Sequence, residues 1–301
     1  MATKTILVIG ATGKQGSSVA EALLEDRTFQ VRCMIRGIKD TNIVQLDNLI
    51  KQGAQLVYGD LENVESLVNA MDGCYGVFAV TNFWDPKVGY EGEISQGRYL
   101  AKAAKKAGIQ HMVYSTLDQN SDVPHFESKV SAERYITRAV PTTSLVTSFY
   151  YENFETYFKP KEEDGVLVFA VAQKPETKVP MYSVSQTGKW VLEAFLHPEE
   201  HINKDISAVG EYISYPKLVE TFEKVTGKKA RFQEIPNEVF AKSGFPGAEE
   251  LAANLRFFDE IHLTKTINYA TYRCSDKQDR RHAESKGESW EEFLRRTGWS
   301  G

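Results

Sequence analysis

Three glycines, at positions 10, 13 and 16, frame the segment Gly10-Ala11-Thr12-Gly13-Lys14-Gln15-Gly16. Glycines so placed can cradle a phosphate. One permits a sharp turn, one lets backbone approach an anion, and one lets a helix pack closely on a strand. The segment follows an apolar run over residues 5–9 and opens a helical pattern over residues 17–24. That strand–turn–helix setting is what a dinucleotide site requires, because a helix amino terminus offers unpaired N–H groups and a positive dipole end to a pyrophosphate. Gly10, Thr12, Gly13, Lys14, Gln15 and Gly16 are the expected contacts.

The second strand decides which dinucleotide. An NAD site places an acid there, about 20 residues on, to hold the ribose 2′-hydroxyl. This chain reads Met34-Ile35-Arg36-Gly37-Ile38-Lys39, with no acid. The planar fork of Arg36 suits a 2′-phosphate, and Lys39 or Lys14 adds charge. NADPH/NADP+ is therefore expected. Asp60 and Leu61 follow the third strand, where the adenine would lie. Asp60 either accepts from the adenine amino group or caps the next helix.

The elements that must position these residues are legible as alternating patterns. Apolar runs at 5–9, 31–35, 55–58, 75–80, 111–115 and 143–147 read as strands. Periodic segments at 17–24, 46–50, 64–71, 94–107 and 127–138 read as helices between them. Strand–helix alternation means βαβ units and a doubly wound parallel sheet, an α/β Rossmann architecture. Thr81 and Asn82 then stand at the carboxyl edge of the fourth strand, where ligands bind in such sheets. Beyond residue 150 the alternation loosens. Helices are expected at 186–196, 216–225, 249–261 and 290–296, with short strands at 166–170, 206–208 and 230–234. Residues 1–150 are read as the NADP-binding domain, and 151–301 as a smaller α+β domain interleaved with it.

Composition narrows the class. The 301 residues carry 36 basic and 41 acidic side chains, a net charge of −5, which disfavours direct nucleic-acid or membrane-surface binding. No apolar stretch reaches the roughly 20 residues of a membrane span, and the start shows no signal-peptide pattern. Cys33, Cys74 and Cys274 are odd in number and widely spaced, so neither a disulfide framework nor a metal cluster is expected. Cys33 and Cys74 read as buried small hydrophobes. The charge-rich stretch over residues 275–288 reads as solvated. The expected compartment is cytoplasmic, or nuclear for a regulator. The sequence sets no oligomeric state.

With these residues in hand, the chain resembles the NmrA-like family of atypical short-chain dehydrogenase/reductases. The glycine segment, Arg36, Val80-Thr81-Asn82-Phe83-Trp84, Val113-Tyr114-Ser115-Thr116, His125-Phe126-Glu127-Ser128-Lys129, Tyr150-Tyr151-Glu152-Asn153-Phe154 and Gly244-Phe245-Pro246-Gly247-Ala248 carry the resemblance. It implies a Rossmann domain that binds NADP(H), and a small C-terminal domain shaping a cleft over the nicotinamide. Tyr150 and Asn153 join the cofactor set on the same ground. The wider superfamily uses Tyr-x-x-x-Lys plus a serine after the fifth strand. Here Lys129 is kept, His125 stands at the tyrosine position four residues earlier, and Ser115 or Thr116 supplies the hydroxyl. Lys129 would hold the nicotinamide ribose. Histidine is a competent proton donor near neutral pH, so His125 could replace the tyrosine; Tyr150 or Tyr151 could also do so.

Two classes of function stay open on these residues. One is an NADPH-dependent reductase of a small, aromatic or polycyclic molecule carrying C=N, C=O or activated C=C. Phe83, Trp84, Phe149, Tyr150, Tyr151, Phe154, Tyr157, Phe158, Phe245, Phe257 and Phe258 would line its pocket or simply form the core between sheet and cap. The other is a non-catalytic redox sensor that binds NADP(H) and regulates a protein partner.

Overall fold

The apolar runs of the first half form parallel strands, and the periodic segments between them form the crossover helices. The computed structural model describes residues 3–37, 43–119, 122–264 and 287–301. The strands are β1 (Thr5–Val8), β2 (Gln30–Ile35), β3 (Gln55–Tyr58), β4 (Gly76–Ala79), β5 (His111–Thr116), β6 (Thr142–Thr147), β7 (Phe149–Tyr150), β8 (Lys161–Glu163), β9 (Val166–Val171), β10 (Val179–Tyr182), β11 (Asp205–Ala208), β12 (Glu211–Ile213) and β13 (Ala230–Glu234). The helices are α1 (Lys14–Asp26), α2 (Ile43–Lys51), α3 (Val64–Met71), α4 (Gly89–Ala107), α5 (Pro124–Thr137), α6 (Thr187–Leu196), α7 (Pro198–His201), α8 (Tyr215–Thr226), α9 (Asn237–Ala241), α10 (Ala248–Thr264) and α11 (Trp290–Thr297).

The main sheet runs β11-β6-β5-β4-β1-β2-β3, parallel throughout. Strand order reverses between β1 and β4, so a crevice opens beyond their carboxyl ends. The 206–208 run, which sequence placed among the cap strands, is the seventh strand of this sheet: Asp205 to Ala208 pair with Ser144 to Thr147 of β6. Two three-stranded sheets, β12-β10-β7 and β13-β9-β8, build the smaller region. No described helix is long and apolar enough to cross a membrane.

Glycines set two helix contacts that matter for the site. A Cβ on Gly97 would stand 2.5 Å from the Ala132 Cβ, so α4 and α5 touch backbone to backbone there. A Cβ on Gly188 would stand 2.2 Å from the Ser18 carbonyl oxygen, which seats α6 directly on α1. Ser18 Oγ ties the two, accepting from the Gly188 N–H at 2.9 Å and donating to the Ser185 carbonyl at 2.6 Å.

Cys33 and Cys74 are buried, and burial pushes the Cys33 thiol up to about 12. Cys274 and residues 275–286 lie outside the described residues. Glu288, the last residue of that charge-rich stretch, is not solvated: its side chain is 8% exposed and pairs with Arg296 at 2.5 Å.

A buried base at the start of β5 gives the fold an acid weakness. His111 is fully enclosed, with Nε2 2.8 Å from Thr143 Oγ1, and burial lowers its pKa to about 4. An unfolded chain binds this proton near pH 6.5, whereas the folded one does not until about pH 4. Stability present at neutrality is therefore lost as pH falls through that window, by at most about 3 kcal/mol for this group. Urea unfolding across the window should show the loss, and His111→Gln should flatten it. An unchanged slope in that variant would remove His111 as the cause.

Candidate functional site

The glycine turn has the shape of an anion cradle. Gly10 sits at φ +71°, and the Gly13 N–H donates to its carbonyl at 2.8 Å. A Cβ on Gly16 would lie 2.1 Å from the Gly10 carbonyl oxygen, so only glycine lets α1 start this close to β1. Helix α1 begins at Lys14 with no side-chain cap, which leaves its first N–H groups facing the crevice. Gly13 and Lys14 are exposed, and Thr12 is half-buried. Gln15 Nε2 donates to the Tyr150 hydroxyl at 2.7 Å, while the buried Gln15 Oε1 has no partner among the described residues. A tight turn, uncapped helix amides and an exposed ammonium fit a dinucleotide phosphate.

Arg36 follows β2 and is largely exposed, 3.5 Å from Asp85 in the segment after β4. The Lys87 backbone N–H, and then the Arg36 guanidinium, hold the Asp85 carboxyl below its usual range. Asp85 escaped the sequence reading, because no local pattern brings residues 36 and 85 together. Lys39 lies outside the described residues. Asp60 does not cap α3; Asn63 does, accepting from the Ser66 N–H at 3.0 Å. Asp60 Oδ1 instead accepts the Glu62 N–H at 2.9 Å. Leu61 is half-buried against the core beside α3.

The close approach at Gly97 and Ala132 determines what happens one turn earlier on each helix. Glu93 of α4 meets Ser128 and Lys129 of α5. Glu93 is completely buried, and Oε1 accepts from Lys129 Nζ at 2.8 Å and from Thr81 Oγ1 at 2.7 Å. Its Oε2 accepts from Ser128 Oγ at 2.5 Å. Lys129 Nζ also donates to the Thr81 carbonyl at 2.9 Å and to Thr81 Oγ1 at 3.3 Å, so all three ammonium donors have acceptors. Tyr114, on β5, brings its hydroxyl to 2.9 Å from Thr81 Oγ1. The carboxylate thus ties the end of β4 to α5. Sequence reasoning missed it: a helix read as starting at residue 94 leaves Glu93 outside, although Gly97 and Leu100 mark the same inward stripe.

His125 lies on the second residue of α5 and is 6% exposed. Its backbone N–H donates to Glu250 Oε1 at 2.7 Å, and Nδ1 is 2.5 Å from the same oxygen. An oxygen already accepting an amide proton is an acceptor, so the ring proton sits on Nδ1. Nε2 has no hydrogen bond among the described residues. Ring centroids of Trp84, Phe83 and Phe126 lie 5.2, 5.8 and 4.7 Å away. Burial pulls the His125 pKa below its ordinary value, and Glu250 opposes that pull. The imidazole is therefore neutral at pH 7.

Other expected site residues go elsewhere. Ser115 is fully buried, and its Oγ has no partner among the described residues. Strand alternation puts it on the sheet face opposite Tyr114, hence opposite Lys129. Thr116 Oγ1 donates to buried Glu133 at 2.8 Å. Tyr151 cannot act as the acid. It is fully buried against Trp290 and Phe293, its hydroxyl donates to the Glu288 carbonyl at 3.4 Å, and burial drives its pKa far up. Tyr150, half-buried beside Gln15, has its phenol raised as well. Asn153 sits half-buried in a short 3-10 turn, and Asn82 is exposed. Phe149, Phe154, Phe158, Phe257 and Phe258 are core. Of the aromatics expected at the pocket, Phe83, Trp84, Tyr157, Phe245 and Tyr150 are the ones that are not buried.

Comparison with known proteins extends the likeness over the chain. The sequence model of the NmrA-like family matches residues 2–294. The NmrA-like family domain-containing oxidoreductase ptmS of Penicillium ochrochloron is 32% identical over 288 residues, spanning 85% of this chain and 84% of that one. An NmrA-like family domain-containing protein of Dictyostelium discoideum is 28% identical over 276 residues, 86% and 88% of the two chains. NmrA, a negative transcriptional regulator solved in complex with NADP, superposes with a TM-score of 0.78 at 22% identity, covering 99% and 96%. A family match over nearly the whole sequence accords with the β1–α1 cradle and the β1/β4 crevice, and the chain belongs to the NmrA-like family.

Proposed function

We propose that the chain binds NADP(H) at the β1–α1 turn and reduces a small aromatic or polycyclic molecule at a C=N, C=O or activated C=C bond. One observation carries this reading: a buried imidazole, oriented by a carboxylate and framed by Trp84 and Phe83, stands at the start of α5 in a fold whose first turn is an anion cradle. The names of the relatives support it, since ptmS is an oxidoreductase, and the NmrA structure holds NADP.

The bound cofactor supplies hydride. Gly10, Thr12, Gly13, Gln15 and Gly16 would hold its pyrophosphate, and Lys14 would add charge. Arg36 would exchange Asp85 for the 2′-phosphate through its fork, with Lys39 assisting. Asp60 and Leu61 would border the adenine. Thr81, Asn82, Tyr150 and Asn153 would flank the nicotinamide half. Lys129 would reach its ribose by giving up the 3.3 Å contact to Thr81 Oγ1, the longest of its three. Ser115, enclosed as it is, would act only through the backbone of β5. His125 would give up a proton from Nε2. Because its neutral form carries the proton on Nδ1, it must first take one up. Carbonyl reduction is therefore expected to quicken as pH falls below neutrality, while reduction of a preformed iminium is not.

The test is NADPH oxidation against a panel of quinones, imines and polycyclic ketones, on either side of neutral pH. Turnover with at least one of these compounds is the expected result. Tight NADPH binding with no oxidation on any of them would sink the reductase reading. A redox sensor with a regulatory protein partner would then stand in its place.

A further inference from the structure

We propose that Glu250 is the positioning residue of His125: it fixes the ring's tautomer, leaving Nε2 for substrate, and it does so only while α10 is docked. The proposal rests on the reading of His125 given above. It adds a residue from a distant part of the chain and a condition on when the ring is competent.

The geometry is specific. One carboxylate oxygen, Oε1, takes both the backbone N–H of His125 and the ring Nδ1. Two donors from one residue on one acceptor fix the ring plane as well as the ring proton. A neutral imidazole protonated on Nε2 has no lone pair there to take up a proton, and loss of the ring's orientation costs general acid–base catalysis its usual contribution, about 10²- to 10⁴-fold. Both partners are mostly buried, with side chains 8% and 14% exposed, so water competes poorly for either.

The charged groups facing the ring come from three elements. Glu250 is on α10, Lys129 on α5 itself, and Glu93 on α4. Lys129 and Glu93 are paired with each other at 2.8 Å, so their fields at the ring oppose. Glu250 is the partner that touches His125 directly.

Docking of α10 is what delivers Glu250. The turn leading into the helix passes Gly247 at φ +90°, under the indole of Trp84. A Cβ there would lie 2.7 Å from Trp84 Cζ3. The Leu251 N–H donates to the Gly247 carbonyl at 2.9 Å, so this glycine is joined to the first turn that carries Glu250. Further along, Phe257 meets Phe126 with ring centroids 5.2 Å apart. Trp84 thus touches both His125 and the turn that brings its carboxylate.

The test reads the ring nitrogens directly and needs no substrate. In ¹⁵N-histidine-labelled full-length protein, the six histidines give long-range proton–nitrogen correlations, and His125→Phe assigns the signal. The wild-type ring should carry its proton on Nδ1. Glu250→Leu should abolish that preference, and Gly247→Val should do the same without touching either partner. Glu250→Gln, which keeps an acceptor oxygen but no charge, should keep the tautomer and lower the titration midpoint of His125 by about one pH unit. That last variant decides the matter if Glu250→Leu does not fold. An unmoved tautomer in Glu250→Leu, or an unmoved midpoint in Glu250→Gln, would overturn the role of Glu250. An unmoved spectrum in Gly247→Val would overturn the dependence on docking. None of these outcomes bears on whether the chain reduces anything, which the NADPH panel decides separately.

Discussion

Gly16→Ala is expected to lower NADPH affinity by roughly a hundredfold or more, about 2.7 kcal/mol of binding free energy. The added methyl has no space. It would lie 2.1 Å from the Gly10 carbonyl oxygen, 2.4 Å from the Gly10 carbonyl carbon and 2.9 Å from the Ala11 nitrogen, all backbone. Backbone cannot rotate aside as a flexible side chain does, so either α1 slides away from β1 or the turn opens. Gly10 cannot absorb the change, because its own φ of +71° and the Val80 methyl 3.0 Å from its missing Cβ already confine it. Each escape shifts the amides that would meet the phosphates. Gly13→Ala is the control: its Cβ would come only to 3.3 Å of the Gly10 oxygen, a contact that a small movement relieves. Fluorescence titration of both variants with NADPH, alongside circular dichroism, measures the difference. Wild-type affinity in Gly16→Ala would show that the phosphates are held somewhere else.

The second large effect is expected at Glu93. Glu93→Ala should cost about 3–5 kcal/mol of unfolding free energy, the range seen when one member of a buried ion pair is removed. The Lys129 ammonium would stay behind with its principal counter-charge gone. The Thr81 and Ser128 hydroxyls would each lose an acceptor in a place water hardly reaches. The double replacement Glu93→Leu with Lys129→Leu should recover part of that loss, because two apolar side chains leave no charge unpaired. Guanidinium unfolding of the single and double variants reads both numbers. A single variant within about 1 kcal/mol of wild type would mean that the network does not hold β4 to α5.

The expected effects differ in how visible their causes are in sequence. The Gly16 contact is local: five residues separate it from Gly10, and the glycine spacing announces it. The parallel strands of the first half were legible for a similar reason, since buried β-branched runs separated by helical periods admit few other arrangements. Glu93 was hidden by a boundary. Its helix starts at Gly89, and only with that start does it fall on the stripe of Gly97 and Leu100. Glu250 and Asp85 were hidden by distance along the chain, because each meets its partner through tertiary packing that no periodicity encodes. Tyr151 misled in the opposite sense. An aromatic residue just past a strand end suggests a ligand, but a 3-10 turn from Tyr151 to Glu155 carries it into the core around Trp290. The surplus of aromatics likewise belongs mainly to that core, where T-shaped and tilted ring pairs link the 3-10 turn, β9, α8 and α11.

The seventh strand of the main sheet has a consequence for biosynthesis. Until Asp205 to Ala208 emerge from the ribosome, β6 has an uncovered edge, with unpaired amides and carbonyls along Ser144 to Thr147. Until Thr187 to Leu196 emerge, the apolar flank of α1 lacks the helix seated on it. A nascent chain halted after the sixth strand is therefore sticky rather than finished. Final consolidation of the amino-terminal half must wait for residues translated well after it, and chaperones have that interval in which to engage the open edge.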